Sequence, residues 1–232
     1  MVGDLADSIF VRACRGERVE RTPVWLMRQA GRYLPEYRDV RAKTTFLGLC
    51  KTPDLAAEVT IQPIRRFGLD ASIIFSDILV PLEAMGLPLE FDEGPHLPQH
   101  CRSAADVERL VVPDPSTTMA FVADAIRIVC RELPTTPLIG FCGAPFTLAC
   151  YAIEGSGSSN YHDVKKFFFD EPRVARALTA KLVETVSLHL VAQIDAGASA
   201  VQIFDSWAGI LSREDYLGFA LRNPNFPDDK IT

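Results

Sequence analysis

Four short stretches of the chain, residues 22–27, 71–75, 137–142 and 199–204, carry apolar residues on both of the faces a strand would present rather than at every second position alone. A strand with one face in water alternates apolar and polar side chains, because successive side chains point to opposite faces. A strand covered on both faces has no need to alternate, and such covering is the rule in parallel sheets flanked by helices. Longer patterns of helical period separate the four stretches. The expected class is therefore α/β, with parallel strands alternating with helices. The 232 residues suit a single domain spanning the whole chain.

The helical patterns carry their own punctuation. Thr52 is an expected N-cap, with Pro53 at the first helical position and Gly68 as the stop; Pro63 within that pattern predicts a kink. A second helix is expected over 117–131. Val174, Leu178, Leu182, Val186, Leu190 and Ile194 repeat every four residues and predict one apolar stripe on a long helix that Gly197 ends. The stretch 87–101 holds Pro88, Gly94, Pro95 and Pro98, is too long for a plain helix-to-strand connection, and is expected to form a hairpin or a lid.

Charge and cysteine usage narrow the function classes. A formal net charge of -6 argues against general binding to nucleic acid or to an anionic membrane, although a local arginine cluster still accommodates a small anion. The start of the chain has no apolar core of signal-peptide length, and no apolar run approaches the roughly 20 residues that span a bilayer. The six cysteines form no CxxC, and no histidine stands at zinc-ligand spacing from them, so free thiols in a reducing cytosol are expected. The protein reads as soluble and cytoplasmic.

A polar or turn-forming residue follows each expected strand: Arg28, Asp77, Gly143, then Asp205 and Ser206. In a barrel of parallel strands such ends share the rim where active sites sit. Any strand must also end in something polar, and the pattern alone leaves both readings open. Arg28 and Arg32 are four apart, a spacing that puts both guanidiniums on one face if the segment is helical, with Gly31 permitting close backbone approach or an unusual dihedral. Guanidinium forks suit carboxylates, yet spacing alone leans towards two surface arginines in salt bridges. Asp77 lies among apolar residues in IIFSDILVP, so it is expected to be at least partly buried and to gather N–H donors, either from a ligand or from the protein itself. Tyr151 fits core packing as well as ligand contact, and Ser206 fits a helix cap as well as a ligand contact. The run 154–160 is no phosphate loop, since it lacks GxxxxGK[ST] and follows a helix.

The segment 23–38, PVWLMRQAGRYLPEYR, resembles a signature of the uroporphyrinogen decarboxylase family. GFCGAPFTLACYAIEG at 140–155, IQPIRRFGLDASIIFSDILVPLEAMG at 61–86 and QIFDSWAG at 202–209 are similar to further blocks of that family, and the likeness runs from about Leu5 to Ala220. The resemblance implies a (β/α)₈ TIM barrel. It implies removal of four carboxyl groups from uroporphyrinogen III to give coproporphyrinogen III, with no metal and no organic cofactor. The implied partner is a small-molecule tetrapyrrole, and a homodimer is implied for the complete protein. By family likeness, Arg28 and Arg32 bind substrate carboxylates and Arg28 is the favoured proton donor. Gln29, Ala30 and Gly31 line the same wall, Asp77 accepts the pyrrole N–H groups, and Tyr151 and Ser206 contact substrate carboxylates.

Only four strands are legible, whereas a full barrel has eight in typically about 250 residues. A late glycine-flanked histidine of the family has no counterpart here, and 222–232 reads as an irregular tail unlike the family. The expectation is an N-terminal half-barrel whose outer strands have open edges, with little or no decarboxylase activity of its own. Two other readings stand beside it: a fragment that binds porphyrinogen or another chain without catalysis, and a cobalamin-dependent methyltransferase relative, against which the missing metal-ligand spacing argues.

Overall fold

The computed structural model describes residues 5–31, 33–92 and 94–221. Arg32 and the tail 222–232 lie outside the described residues. A three-stranded sheet has the order β1 (Ser72–Ile73), β4 (Leu138–Gly143), β5 (Ala200–Phe204), and β2 (Glu90–Phe91) pairs with β3 (Pro95–His96) in a separate antiparallel hairpin. β1 and β4 are parallel, with Ser72 opposite Leu138 and Ile73 opposite Ile139. The Ser199 N–H reaches the Leu138 carbonyl and the Ala144 N–H reaches the Phe204 carbonyl, so β5 follows β4 in the same direction. The α/β class is therefore present, and the hairpin falls within the stretch 87–101.

The first expected strand, 22–27, is not a strand. Val24 still lies beside the start of β1, but its N–H goes to the Asp70 carboxylate at 2.7 Å while its carbonyl takes the Asp70 N–H at 2.9 Å. A side chain stands where a ladder would need a backbone carbonyl, and Pro23 has no N–H to extend the pairing. Double-sided covering holds for β4 and fails for β5. β4 is buried at five of its six positions, whereas Val201, Gln202 and Ile203 in β5 are exposed. β5 is an edge strand of the described sheet.

The chain forms two compact units, each drawn from three separate segments. The first contains 1–77, 115–141 and 190–202. Its helix Ala120–Glu132 buries Val122, Ala125, Ile126 and Val129, the spacing of one helical face, and this face meets Ala56, Ala57 and Ile61 of the helix Pro53–Phe67 together with Ile74 and Leu138 of the sheet. The alternate sheet residues, Ala71, Ile73 and Ile139, turn the other way and pack with Phe10, Val11 and Trp25. Each fully buried Val, Leu, Ile or Phe among them contributes about 1.5–3 kcal/mol. Pro53–Phe67 starts and stops where the sequence places it, and the helix runs through Pro63 unbroken. Thr52 precedes it as expected, but its hydroxyl donates back to the Gly48 carbonyl at 2.7 Å instead of capping.

The second unit contains 78–114, 142–189 and the segment from 203 onward. At its centre is the helix Pro145–Glu154, buried at Phe146, Thr147, Leu148, Ala149, Cys150, Ala152 and Ile153. Such all-round burial explains a sequence with no polar face. Phe146 meets Phe168 of the helix His162–Asp170 with ring centroids 5.7 Å apart. Leu97 and Cys101 donate their N–H groups to the carbonyls of Gly155 and Ala152, both at 2.7 Å, and Arg102 Nε bonds the Ile153 carbonyl at 2.8 Å. The segment after the hairpin is thus fastened to the end of that helix, satisfying its last carbonyls. The long helix, Pro172–Asp195, begins in this unit and buries Leu178, Leu182 and Val186.

Candidate functional site

Arg28 belongs to the first unit and lies in a turn, not on a helix. The Gln29 N–H bonds the Leu26 carbonyl at 3.0 Å, and Arg28, the third residue of that turn, has φ +58. Arg28 is therefore not on a helix, which starts only at Pro35, and the expected sharing of a face involves Arg32, which lies outside the described residues. Proline at the helix start fixes this boundary, since it disfavours helical geometry in the residue before it. A left-handed arginine stores backbone strain of about 1–2 kcal/mol. Gln29 supplies the restraint. Its side chain is buried, Oε1 takes the Leu26 N–H at 3.1 Å and Nε2 donates to the Ala71 carbonyl at 3.4 Å. The Gln29 carbonyl in turn accepts the Tyr33 hydroxyl at 2.6 Å. The turn is anchored on both sides while the Arg28 guanidinium remains exposed.

Gly31 is needed for close approach rather than for its dihedral. A Cβ there would stand 2.8 Å from the Arg28 carbonyl and 2.8 Å from the Tyr33 ring. Ala30 beside it is half-buried. A second anchor lies just upstream, where Arg21 forks onto Asp70 at 2.7 and 2.5 Å. The Arg21 guanidinium holds the Asp70 carboxyl below its usual range. Asp77 also lies in the first unit, half-buried in the connection between β1 and the helix Val80–Ala84. Its negative charge, after burial, helps push the Cys50 thiol up.

Tyr151 and Ser206 belong to the second unit. Tyr151, on the helix Pro145–Glu154, is half-buried with its ring 6.0 Å from that of Trp207. Tyr161, with φ +52, lies 5.1 Å from the same indole, and its hydroxyl and the Trp207 Nε1 are buried without a partner among the described residues. Burial pushes the Tyr161 phenol up to about 12. Ser206 is exposed and caps no helix; the 3₁₀ turn Ala208–Ile210 begins after Trp207. Thr147 Oγ1 donates to Asp205 Oδ1 at 2.8 Å and accepts the Trp207 N–H at 3.2 Å. Burial pushes the Asp205 carboxyl up, and the Thr147 bond opposes that rise. The contacts among Thr147, Tyr161 and Trp207 are not legible in the sequence, because the partners lie tens of residues apart.

All six cysteines are free. Burial pushes the Cys101 and Cys142 thiols up to about 12, which makes them poor nucleophiles. Among the described residues no group of three or more His, Cys, Asp or Glu is placed to hold a metal ion. No helix among them is long and apolar enough to cross a membrane.

Parallel strands joined through helices define an α/β class of protein, and the comparisons with known proteins narrow that class. Residues 5–224 match the family described as uroporphyrinogen decarboxylase (URO-D). Curated relatives with the name uroporphyrinogen decarboxylase include one from Myxococcus xanthus, 56% identical over 214 residues, and one from Chloroherpeton thalassium, 56% identical over 220 residues. These alignments cover 91% and 94% of this chain and 62% of each relative. A methyltransferase from Methanosarcina mazei has a similar structure, with a TM-score of 0.75 over 90% of this chain and 62% of that one; at 21% identity this likeness concerns the fold alone. The chain belongs to the uroporphyrinogen decarboxylase family. It spans about 62% of the length of the curated relatives it matches, and the family match ends four residues beyond the expected limit at Ala220.

Proposed function

We propose that the complete protein decarboxylates the four acetate arms of uroporphyrinogen III to methyl groups, giving coproporphyrinogen III, and that this chain contributes the N-terminal half of a (β/α)₈ barrel. The observation that carries the reading is the Arg28 turn: an exposed guanidinium on a strained backbone that Gln29 and Tyr33 hold in place. Strain persists where the surroundings over-determine it, and sites are where it recurs. A guanidinium carried on an anchored backbone suits a carboxylate.

In each cycle a proton adds to a pyrrole ring, and the ring becomes an electron sink. The bond from the acetate CH₂ to its carboxylate breaks, its electrons move into the protonated ring, and carbon dioxide leaves. A second proton then converts the exocyclic methylene to methyl as the ring loses the first, so each arm consumes one proton net. Arg28 holds a carboxylate and is the favoured donor, with Arg32 beside it in sequence. The carboxylate of Asp77 accepts pyrrole N–H groups and opposes the positive charge that builds on the ring, a preorganised electrostatic role. Gln29, Ala30 and Gly31 form the wall behind Arg28, and Tyr151 and Ser206 receive further carboxylates. We place the protein in the cytoplasm, as a homodimer when complete.

The 232-residue chain alone is expected to turn over little or no substrate, because β5 ends the described sheet with exposed residues. The test is anaerobic incubation of uroporphyrinogen III with the purified chain and with the Myxococcus xanthus relative, followed by chromatography of the oxidised products. Coproporphyrin formation by this chain at a rate near that of its relative would overturn the expected low activity. Failure of the chain to bind uroporphyrinogen at all would overturn the functional reading.

A further inference from the structure

We propose that Thr147 is a positioning residue for Ser206: its single hydroxyl grips the residue on either side of that serine and fixes where the serine is presented. The inference rests on the proposed role of Ser206 as a carboxylate contact. Thr147 is fully buried near the start of the helix Pro145–Glu154. A threonine at that place has a local option, its own helix's preceding turn. Its hydroxyl instead donates to Asp205 Oδ1 at 2.8 Å and accepts the Trp207 backbone N–H at 3.2 Å, reaching across 58 and 60 residues of sequence. Ser206 lies between those two bonds.

Three further contacts converge on the same short segment. The Phe204 carbonyl takes the Ala144 N–H at 2.9 Å, just ahead of Asp205. The Trp207 indole lies against Tyr151 and Tyr161. Ser206 itself is exposed, so the segment is held on both sides while the serine faces solvent. Asp205 is not exposed, so its carboxylate needs a donor, and the Thr147 O–H is one. A valine at 147 would keep the shape and remove both bonds; a serine would keep both.

The chain has two tryptophans, Trp25 and Trp207, so Trp25→Phe leaves Trp207 as the only indole reporter. In that background, Thr147→Val is expected to raise acrylamide quenching of Trp207, and Thr147→Ser is expected to restore it. Anaerobic uroporphyrinogen III, titrated by Trp207 fluorescence, should bind about tenfold more weakly to Thr147→Val, the loss of one to two hydrogen bonds' worth of order. Combined with Ser206→Ala, Thr147→Val should add almost nothing, because its effect passes through the serine. An equal loss of affinity in both backgrounds, or unchanged quenching in Thr147→Val, overturns the positioning role. If the parent chain does not bind uroporphyrinogen, the functional reading fails, and the quenching comparison alone then decides whether Thr147 holds the segment.

Discussion

Asp70 accepts both arms of the Arg21 guanidinium, at 2.7 and 2.5 Å, and in the same place takes the Val24 N–H at 2.7 Å. One carboxylate thus fastens the chain leading to the Arg28 turn onto the start of β1. Its side chain is mostly buried while that of Arg21 is largely exposed, so the ion pair itself is partly screened. Replacing Asp70 with Ala leaves the Val24 N–H without this acceptor and should cost about 1–3 kcal/mol in urea denaturation. Arg21, the largest cause, holds the carboxyl below its ordinary value. The stabilisation is therefore present above the unfolded value of about 3.9 and disappears as pH falls through the lower folded value. Below that pH the parent and Asp70→Ala proteins should converge; a constant gap across the acid range would contradict the linkage.

Arg28 combines strain with exposure, so its replacement should separate stability from binding. Glycine adopts φ +58 without a Cβ penalty but gains freedom in the unfolded chain. The two effects nearly offset each other, and Arg28→Gly should unfold within about 1 kcal/mol of the parent. Uroporphyrinogen binding, measured anaerobically by fluorescence, should fall by at least tenfold, the loss of about one charge-assisted contact. A variant that loses stability instead of affinity would make Arg28 a structural residue.

Gly155 and Gly16 offer a paired comparison. Both have positive φ, +86 and +74, but a Cβ on Gly155 would collide with His100 Nε2, whereas one on Gly16 would meet nothing within 4 Å. Gly16→Ala should cost about 1 kcal/mol, the left-handed penalty alone. Gly155→Ala must also displace His100 and disturb the helix end to which Leu97 and Cys101 are tied, and should cost about 2–4 kcal/mol. Thermal melts of the two variants side by side give the ranking.

His189 is buried on the long helix, and burial pushes its pKa down from 6.5 to about 4. The folded state therefore holds fewer protons than the unfolded state between those values. Stability is full above about pH 6.5 and declines as pH falls towards 4, by about 3 kcal/mol in all. Replacing His189 with Leu removes this titration. The difference in unfolding free energy between the two proteins should move in favour of the variant as pH drops from 7 to 4, and a difference independent of pH would show that His189 does not titrate on unfolding.

The long helix also shows how far sequence reasoning reaches. Leu178, Leu182, Val186 and Leu190 are buried as their spacing predicts, but Ile194 is 49% exposed. A step of four residues overshoots a 3.6-residue turn by about 40°, so a repeat of four winds off its own face. The buried position at that end is Gln193, whose amide takes the Phe141 N–H and donates to its carbonyl, each at 2.9 Å. Nothing local announces such a bond. The same limit applies to Thr147, whose partners are nearly sixty residues away, and to the strand missing at 22–27, where a side chain from Asp70 replaces a ladder bond. Local periodicity set the helices and the strands β4 and β5, and a long motif set the family; long-range side-chain bonds set the details of the site.

β5 gives a last expectation. Val201 and Ile203 are 38% and 48% exposed, and being two apart on a strand they share one face. β5 is also the edge of the described sheet. An apolar face beside an open edge invites pairing with another chain. The purified chain should show a sedimentation coefficient that rises with concentration, and Val201→Lys or Ile203→Lys should suppress the rise, since a lysine on that face must be desolvated in any closed contact. Both substitutions lie on an exposed surface, so each should change unfolding stability by less than about 0.5 kcal/mol. A parent chain that stays monomeric at all concentrations, or lysine variants that associate as the parent does, would rule out β5 as the contact.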